Sequence, residues 1–205
     1  RDRLRSRGLG DVYKRQDVTR GDVPVNSVDV SYEAAKGIGY IKVSKFARNT
    51  YNEFITAIAK LKQAGCTSFV IDLRGNTGGY MDAAINMINE FMPEGRLIVY
   101  TEGKSFPRSD VYANGTGTCK DAPIVVLTDE ISASASEIFS GAIQDNDRGT
   151  IIGRRTYGKG LVQTQMSLSD GSEMRLTIAR YYTPSGRSIQ VKGIEPVSYT
   201  HLTLP

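Results

Sequence analysis

Hydrophobic and polar positions divide the chain into short segments with strand periodicity and longer segments with helical periodicity. Ser27–Glu33 alternates polar and apolar residues, which predicts a strand, and Gly39–Val43 predicts a second short strand. The apolar segments Ser68–Leu73, Leu97–Tyr100 and Ile124–Leu127 are typical of strands that are covered on both faces. The pattern therefore predicts buried strands with amphipathic segments between them.

Three amphipathic helices are predicted. The first opens on Thr50-Tyr-Asn-Glu53, which has the form of a capping box, and Gly65 marks its end. The third is expected over residues 134–145. The apolar stripes expected to face the core are Phe54, Ile58 and Leu61 in the first helix, Met81, Ala84, Ile85, Ile88 and Phe91 in the second, and Ile138, Phe139, Ala142 and Ile143 in the third.

The last part of the chain is rich in strand signals. Thr150–Gly153 predicts a short strand, and Leu161–Leu168 and Glu173–Ala179 alternate around Ser169-Asp-Gly-Ser172, which predicts a β-hairpin. The order of strands and helices predicts one α/β domain of layered architecture, and 205 residues suffice for a single sizeable core.

Composition is that of a soluble globular protein, with 40% hydrophobic and 23% charged residues. No apolar run approaches the roughly 20 residues that a membrane helix needs. The net charge of +4 comes entirely from residues 1–16, which hold six basic and two acidic residues, while residues 17–205 are balanced. An arginine-rich arm is one form of nucleic-acid-binding tail, but this arm has no periodicity and resembles translated adapter sequence, as do residues 197–205. We therefore expect a non-native arm over 1–16, a non-native tail over 197–205, a chain cut from a longer gene product, and no nucleic-acid partner.

Few residues suited to metal or redox chemistry are present. The cysteines are Cys66 and Cys119, and the one histidine, His201, lies close to the C-terminus. Two cysteines without histidine partners do not make a metal site, so neither a metal nor another cofactor is expected. The cysteines can form one disulfide in an exported protein or remain free thiols, and we favour free thiols.

Ser134 is the leading candidate for a nucleophile. A serine hydroxyl needs a neighbouring base to remove its proton, and a lysine serves as that base in some enzymes that lack a histidine partner. At the start of the predicted third helix, unpaired backbone N–H groups such as that of Ala135 can stabilise an oxyanion. The competing interpretation is purely structural, because Ser134 and Glu137 also have the spacing of a capping box.

Lys159 is the candidate base, and it lies between two glycines in Gly158-Lys-Gly160. A loop lysine is ordinarily just solvated; to act as a base near neutral pH it must be desolvated so that its pKa falls. Tyr157, Leu161 and Val162 are the residues that would supply an apolar wall. Gln163, four residues after Lys159, is expected to orient the lysine.

A glycine-rich turn over Asp72–Gly79 connects a predicted buried strand to the second helix. It is not a dinucleotide-binding fingerprint, because the pattern G-x-G-x-x-G is absent. Its glycines either serve a tight connection only or bring backbone N–H groups to a ligand, as a second oxyanion donor. A salt bridge made by Asp72 or by Arg74 is expected to pin the turn.

Together these segments resemble the C-terminal processing peptidases, also called tail-specific proteases, of the S41 serine peptidase family. The resemblance covers most of residues 38–196. Its matching stretches are DLRGNTGG (72–79), SASASEI (132–138), GKGLVQ (158–163), LSDGSEMRLTIARYYTPSGRSIQ (168–190) and GIEP (193–196). It implies a crotonase- or ClpP-like layered β-α core with a β-hairpin, over residues 27–196.

The resemblance also implies roles for single residues. Ser134 would be the nucleophile, Lys159 the general base and Gln163 the residue that positions Lys159. Gly79 or Gly78, together with Ala135, would supply the oxyanion N–H groups. Ser132 and Ser136 do not fit the family's spacing and are taken as structural.

Substrate and location are implied in the same way. Such enzymes cleave proteins near unstructured, apolar, free C-terminal tails, and they are exported to the periplasm or cell envelope of bacteria. A PDZ domain usually precedes the catalytic core, and residues 17–26 are the only candidate for its remnant here. Any membrane association is expected to come from segments that this chain lacks.

Two alternative functions remain open. A crotonase-like acyl-CoA enzyme would share the fold, but it would need an acidic residue in its pocket and no Ser-Lys pair. A catalytically impaired fragment would bind peptide tails without cleaving them, which suits a truncated chain.

Overall fold

The computed structural model describes residues 26–199, which form ten strands and three α-helices. In chain order these elements are β1 (Val28–Ala35), β2 (Ile38–Val43), α1 (Thr50–Gln63), β3 (Ser68–Asp72), α2 (Met81–Asn89), β4 (Leu97–Gly103), β5 (Phe106–Tyr112), β6 (Ile124–Thr128), α3 (Ala135–Asp145), β7 (Thr150–Gly153), β8 (Leu161–Ser167), β9 (Glu173–Tyr182) and β10 (Ser198–Tyr199).

The larger sheet has six strands in the order β1-β2-β3-β6-β7-β10. Strand β1 is antiparallel to β2, and every other pair in this sheet is parallel. Lys42 pairs with Asp72, Asp72 with Leu127, and Thr128 with Gly153. The carboxyl ends of β2, β3, β6 and β7 therefore lie at one edge, and the loops that follow them lie side by side.

The smaller sheet is antiparallel, with strand order β5-β4-β9-β8. Strands β8 and β9 form the predicted hairpin, and β8 is the outer strand of this sheet. The loop that leads from β7 into β8 connects the two sheets, so it carries residues 154–160 from the carboxyl edge of the larger sheet into the hairpin.

The core is built on aromatic contacts between the helices and the larger sheet. The ring of Phe91 packs edge-on against Phe54, Phe69 and Phe139, with ring centroids 6.1, 6.5 and 6.4 Å apart. All four rings are buried; Phe54 lies in α1, Phe69 in β3, Phe139 in α3, and Phe91 in the turn that follows α2. Edge-to-face aromatic contacts of this kind add to the stabilisation that burial of apolar area provides. The cysteines Cys66 and Cys119 are buried free thiols, as favoured from the sequence.

The predicted elements are confirmed with small shifts at their ends, and with one exception at the first helix. Helix α1 begins at Thr50 with Asn49 as its cap residue, so the predicted capping box is not formed. Instead the Thr50 hydroxyl accepts a hydrogen bond from a preceding backbone N–H, and the Glu53 carboxylate accepts from the backbone N–H groups of Ser27 and Val28 at 2.7 and 3.0 Å. The same motif therefore joins the helix to β1 rather than closing its own end.

Two strands are not among those predicted. Strand β5 is mostly exposed and polar, with Pro107, Arg108, Ser109 and Asp110 at its centre, so it lacks the alternation that marks a strand. Strand β10 has two residues and pairs in parallel with β7. Both form because a partner strand offers unpaired backbone groups, which is a tertiary effect.

Several terminal predictions lie outside the described residues. These are the arm 1–16, residues 17–25 of the candidate PDZ remnant, and residues 200–205 of the predicted tail. The described part of that tail includes Ser198 and Tyr199 of β10, and the N–H of Val197 donates to Ile151. Within 26–199, no helix has the length and apolar character needed to cross a bilayer.

Candidate active site

A pocket of about 430 Å³ opens where the carboxyl edge of the larger sheet meets the β8–β9 hairpin. It brings together residues that are far apart in the sequence, including four of the predicted site residues. Its lining consists of Phe46, Gly79, Tyr80, Ser134, Lys159, Leu161, Gln163, Gln165, Arg175 and Tyr181.

Ser134 immediately precedes α3 and is half-buried at the base of the pocket. Its backbone has φ 55° and ψ −111°, a region that a residue with a side chain adopts only when its surroundings impose it. The surroundings are tight: the N–H of Ala133 donates to the carbonyl of Asn76 at 3.0 Å, and that of Tyr157 to Ser132, also at 3.0 Å. Strained backbone of this kind concentrates at functional sites.

The two neighbouring serines hold the loop rather than face the pocket, as predicted. The hydroxyl of Ser132 donates to the carbonyl of Leu73 at 2.9 Å, and that of Ser136 to the carbonyl of Asn76 at 3.0 Å. Both are fully buried. They therefore fasten the Ser134 loop to the turn that follows β3.

Glu137 connects the Ser134 loop to the Lys159 loop. Its carboxylate is fully buried and accepts four hydrogen bonds. The donors are the backbone N–H groups of Ser134 (2.8 Å), Gly158 (2.6 Å) and Lys159 (2.8 Å), and the hydroxyl of Thr156 (2.6 Å). The capping-box spacing of Ser134 and Glu137 predicts the hydrogen bond to Ser134. It does not predict the other three bonds, because they depend on how the Ser134 loop packs against the Lys159 loop.

The side chains of Ser134, Lys159 and Gln163 share the pocket but are not hydrogen-bonded to one another. Within the described residues, no bond of 3.5 Å or less joins Ser134 Oγ to Lys159 Nζ, or Gln163 to Lys159. Lys159 is exposed, and Tyr157, expected to shield it, is 68% exposed. Tyr157 therefore does not shield Lys159, whereas Leu161, another residue of the expected apolar wall, lines the pocket beside it. Gln163 instead reaches Thr177 Oγ1 at 3.5 Å, at the limit of a hydrogen bond.

Backbone N–H groups of both predicted oxyanion segments lie beside Ser134. The N–H of Gly78 already donates to the side-chain oxygen of Asn76 at 2.8 Å. No acceptor among residues 26–199 takes the N–H of Gly79 or of Ala135, and Gly79 lines the pocket. Of the two glycines, Gly79 is therefore the one whose backbone N–H can donate a hydrogen bond to a ligand.

Gly78 has a different role, which is close packing against the loop that carries Ser134. A Cβ on Gly78 would lie 2.6 Å from the carbonyl oxygen of Ala133, 2.8 Å from Ser134 Cβ and 3.0 Å from the nitrogen of Ala135. Its φ of +97° is also one that residues with side chains rarely adopt. The position therefore requires glycine for two independent reasons.

The predicted salt bridge between Asp72 and Arg74 pins the turn after β3, with Arg74 Nη2 2.6 Å from Asp72 Oδ2. The Tyr40 hydroxyl also donates to Asp72, at 2.5 Å. Burial alone would raise the pKa of Asp72, but the hydrogen bonds from Arg74 and Tyr40 outweigh it and hold that pKa below its ordinary value. Burial, together with the bond to Asp72, raises the pKa of Tyr40 to about 12.

Fold and site together are those of a peptidase domain, and the family model for peptidase family S41 matches residues 37–198. The chain belongs to this family. It is 39% identical over 178 residues to a carboxyl-terminal-processing protease of Synechocystis, an alignment that covers 83% of this chain. It is 37% identical over 188 residues, or 91% of the chain, to a protein of the same name from Picosynechococcus.

A solved structure agrees with these sequence relatives. The photosystem II D1 C-terminal processing protease superposes with a TM-score of 0.77 and 36% sequence identity over 84% of this chain. The chain spans 41% and 45% of the lengths of the two named sequence relatives, and 45% of the solved chain. The α/β fold of an S41 catalytic domain, predicted from the sequence, is thereby confirmed.

Proposed function

We propose that this domain is a serine endopeptidase in which Ser134 is the nucleophile and Lys159 the general base. One observation carries the proposal: a serine at a strained helix start shares a pocket with a lysine, and one buried carboxylate, Glu137, anchors the backbone of both. Such a shared anchor fixes the relative position of the two loops, which is what a catalytic pair needs.

Each step has a residue suited to it. Ser134 Oγ attacks the carbonyl carbon of the scissile peptide bond while Lys159 Nζ takes the hydroxyl proton. The N–H groups of Ala135 and Gly79 stabilise the negative oxygen that develops. Lys159 then gives its proton to the leaving amine, and a water that Lys159 activates hydrolyses the acyl-enzyme. Rotation of the exposed Lys159 side chain toward Ser134 would complete the pair, with Gln163 holding it there.

The substrate class and location extend the proposal further. The names of the relatives describe processing of carboxyl termini, so we propose protein substrates that present unstructured, apolar, free C-terminal tails. We also propose that the parent protein is exported to the periplasm or cell envelope of a bacterium. These statements rest on the family and on relatives that are more than twice as long as this chain.

A pair of substitutions tests the dyad. We expect Ser134→Ala and Lys159→Ala each to lower kcat on an unstructured protein substrate by about 10³-fold or more, because nucleophile and base act as a unit. The double variant should lose no more than the worse single one. Lys104→Ala removes an exposed loop lysine outside the pocket and should leave cleavage unchanged. Unimpaired cleavage by Ser134→Ala would refute the proposal.

A second candidate function is favoured by one feature of the site. Because Lys159 is exposed and makes no hydrogen bond to Ser134, the domain by itself would bind peptide tails without cleaving them. Binding without turnover by the unsubstituted chain would identify this case. The acyl-CoA alternative fits less well, since no acidic residue lines the pocket, and failure to bind an acyl-CoA would dismiss it.

A further inference from the structure

The pocket that contains Ser134 has an unbalanced charge. Of the ten residues that line it, Lys159 and Arg175 are cationic and none carries a carboxylate. One carboxylate lies near the lining: burial and the charge of Asp82 raise the pKa of Tyr181. A third cation lies at its rim, where the guanidinium of Arg48 sits 5.5 Å from the ring centroid of Tyr80. A pocket lined by one sign of charge attracts the opposite charge, so a ligand here is favoured if it carries a negative group.

Arg175 and Ser134 line the same pocket, and the register of the hairpin places Arg175 relative to Gln163. On the hairpin Arg175 pairs with Gln165, while Thr177 pairs with Gln163, and both glutamines line the pocket with it. Residues two apart along a strand are about 7 Å apart. Arg175 therefore lies two residue pairs farther along the hairpin than Gln163.

Arg175 has no ionic partner of its own. Within residues 26–199 no carboxylate lies within 4.0 Å of its guanidinium, and no hydrogen bond holds it. By contrast, three other surface arginines, Arg108, Arg154 and Arg187, each contact an acidic side chain. The planar fork of a guanidinium matches a carboxylate with two parallel hydrogen bonds, which makes arginine well suited to this recognition.

We propose that Arg175 selects substrates that carry a carboxylate within about three residues of the scissile bond, since an extended peptide advances about 3.4 Å per residue. The proposal rests on the peptidase function of the same site. The carboxylate comes either from an Asp or Glu side chain or from the free C-terminus of a short tail. In both cases it forms a charge-assisted pair with Arg175 while the peptide bond lies over Ser134.

Binding is measured first, on the Ser134→Ala chain, so that cleavage does not interfere. The probes are fluorescent ten-residue alanine-rich peptides in which one Asp is moved through three positions on either side of the centre, with Asn in matched controls. A second set ends in a free carboxylate or an amide two residues after the centre. At the preferred position we expect the carboxylate to tighten binding about tenfold, as one charge-assisted pair does.

Variants assign this preference to Arg175. With Arg175→Gln the ratio of affinities between Asp and Asn peptides should fall to about one, and with Arg175→Glu the chain should prefer Lys over Asp at that position. Arg180→Gln is the matched control, because Arg180 is an exposed arginine of the same strand that lines a different cavity. It should keep the full preference.

Two further readouts keep the test decisive. The binding preference of the Ser134→Ala chain should weaken several-fold when the ionic strength rises from about 0.05 M to about 0.5 M, which needs no substitution at Arg175. Cleavage of the same peptides by the chain with Ser134 intact tests the peptidase function separately. Binding preference without cleavage supports the role of Arg175 and counts against the peptidase; cleavage without preference does the reverse.

The outcomes distinguish the two possible sources of the carboxylate, an acidic side chain and a free C-terminus. A preference confined to the peptides with a free C-terminus assigns Arg175 to the tail end, and a preference that follows Asp assigns it to an acidic side chain. Equal binding of Asp and Asn peptides and of acid and amide peptides overturns the proposal, as does a preference that Arg175→Gln retains.

Discussion

At the scale of single residues, the site depends on how closely the backbone of Gly78 approaches Ser134. Ser134 holds an unfavourable φ of 55°, and Gly78 packs directly against its Cβ. The strain at Ser134 persists only because its surroundings are dense, and Gly78 is part of that density. A methyl group added at Gly78 would therefore displace Ser134, the proposed nucleophile.

We expect Gly78→Ala to abolish cleavage and to lower the free energy of unfolding by about 2 to 4 kcal/mol, from positive φ and a backbone clash together. The Cβ would lie 2.6 Å from the carbonyl oxygen of Ala133, which cannot move without moving Ser134. Thermal or urea unfolding and peptide cleavage measure the two effects.

Gly75→Ala is the control for Gly78, because Gly75 belongs to the same turn and also has positive φ, +73°, but no neighbouring atom lies within 4 Å of the position that a Cβ would take there. It should cost about 1 kcal/mol from φ alone and keep activity. Equal effects of the two substitutions would mean that close packing at Gly78 has no special importance.

At the scale of elements, Glu137 joins the start of α3 to the loop between β7 and β8. One carboxylate oxygen accepts from Ser134 and Lys159, and the other from Thr156 and Gly158. Two loops separated by about twenty residues of sequence are thereby held at one spacing by a single side chain. Glu137 is a positioning residue on this account, since it touches neither pocket nor substrate.

We expect Glu137→Gln to lower kcat by about 10²-fold or more while KM changes little, because the loops shift relative to each other whereas the peptide groove remains. An amide NH₂ would also face two backbone donors, so the free energy of unfolding should fall by about 3 to 5 kcal/mol. Steady-state kinetics and denaturant unfolding test both expectations.

Glu130→Gln is the matched control, since Glu130 is an exposed glutamate that pairs with Arg154 on the surface. Such a pair contributes about 0 to 1 kcal/mol, so both kcat and stability should stay close to their original values. A Glu137→Gln chain with unchanged kcat would show that the two loops hold their positions without this carboxylate.

At the scale of the whole molecule, the turn after β3 ties the sheet edge together through the buried Asp72. Its pKa is held below the ordinary value of 3.8 by hydrogen bonds from Arg74 and Tyr40, against the effect of burial. A carboxyl whose pKa is lower in the folded state stabilises the fold when it is ionised. That stabilisation is complete above the ordinary pKa and is lost as the pH falls through the lower folded value.

We therefore expect the free energy of unfolding to fall as the pH drops below about 4, and Asp72→Asn to flatten this fall. At neutral pH the variant should be less stable by about 1 to 3 kcal/mol, with the difference shrinking in acid. Urea unfolding across a pH series measures it. Asp147→Asn is the control, because Asp147 is exposed and its carboxylate makes no hydrogen bond or ion pair within residues 26–199; it should follow the unsubstituted profile. An unchanged slope for Asp72→Asn would contradict this account.

Much of the fold follows from the sequence because it is a matter of local periodicity. The apolar stripes of the three helices, the buried runs of β3 and β6 and the turn residues of the hairpin each act within a few residues. Local periodicity does not predict strand β5, because its polar residues form a strand only where β4 provides a free edge. Likewise, Glu53 has the spacing of a capping residue but bonds to β1.

For the site, local sequence patterns predict which residues are candidates, and tertiary packing sets which of them lie together in one pocket. Ser134 at a helix start and Lys159 between glycines are local features, whereas the shared pocket arises because parallel strands bring their carboxyl ends to one edge. The hydrogen bond that occupies the Gly78 N–H is local, because Asn76 lies two residues before it. The exposure of Lys159 and the lack of an ionic partner for Arg175 within residues 26–199 depend on segments distant in sequence. No spacing rule encodes such contacts, because they depend on how separate segments pack.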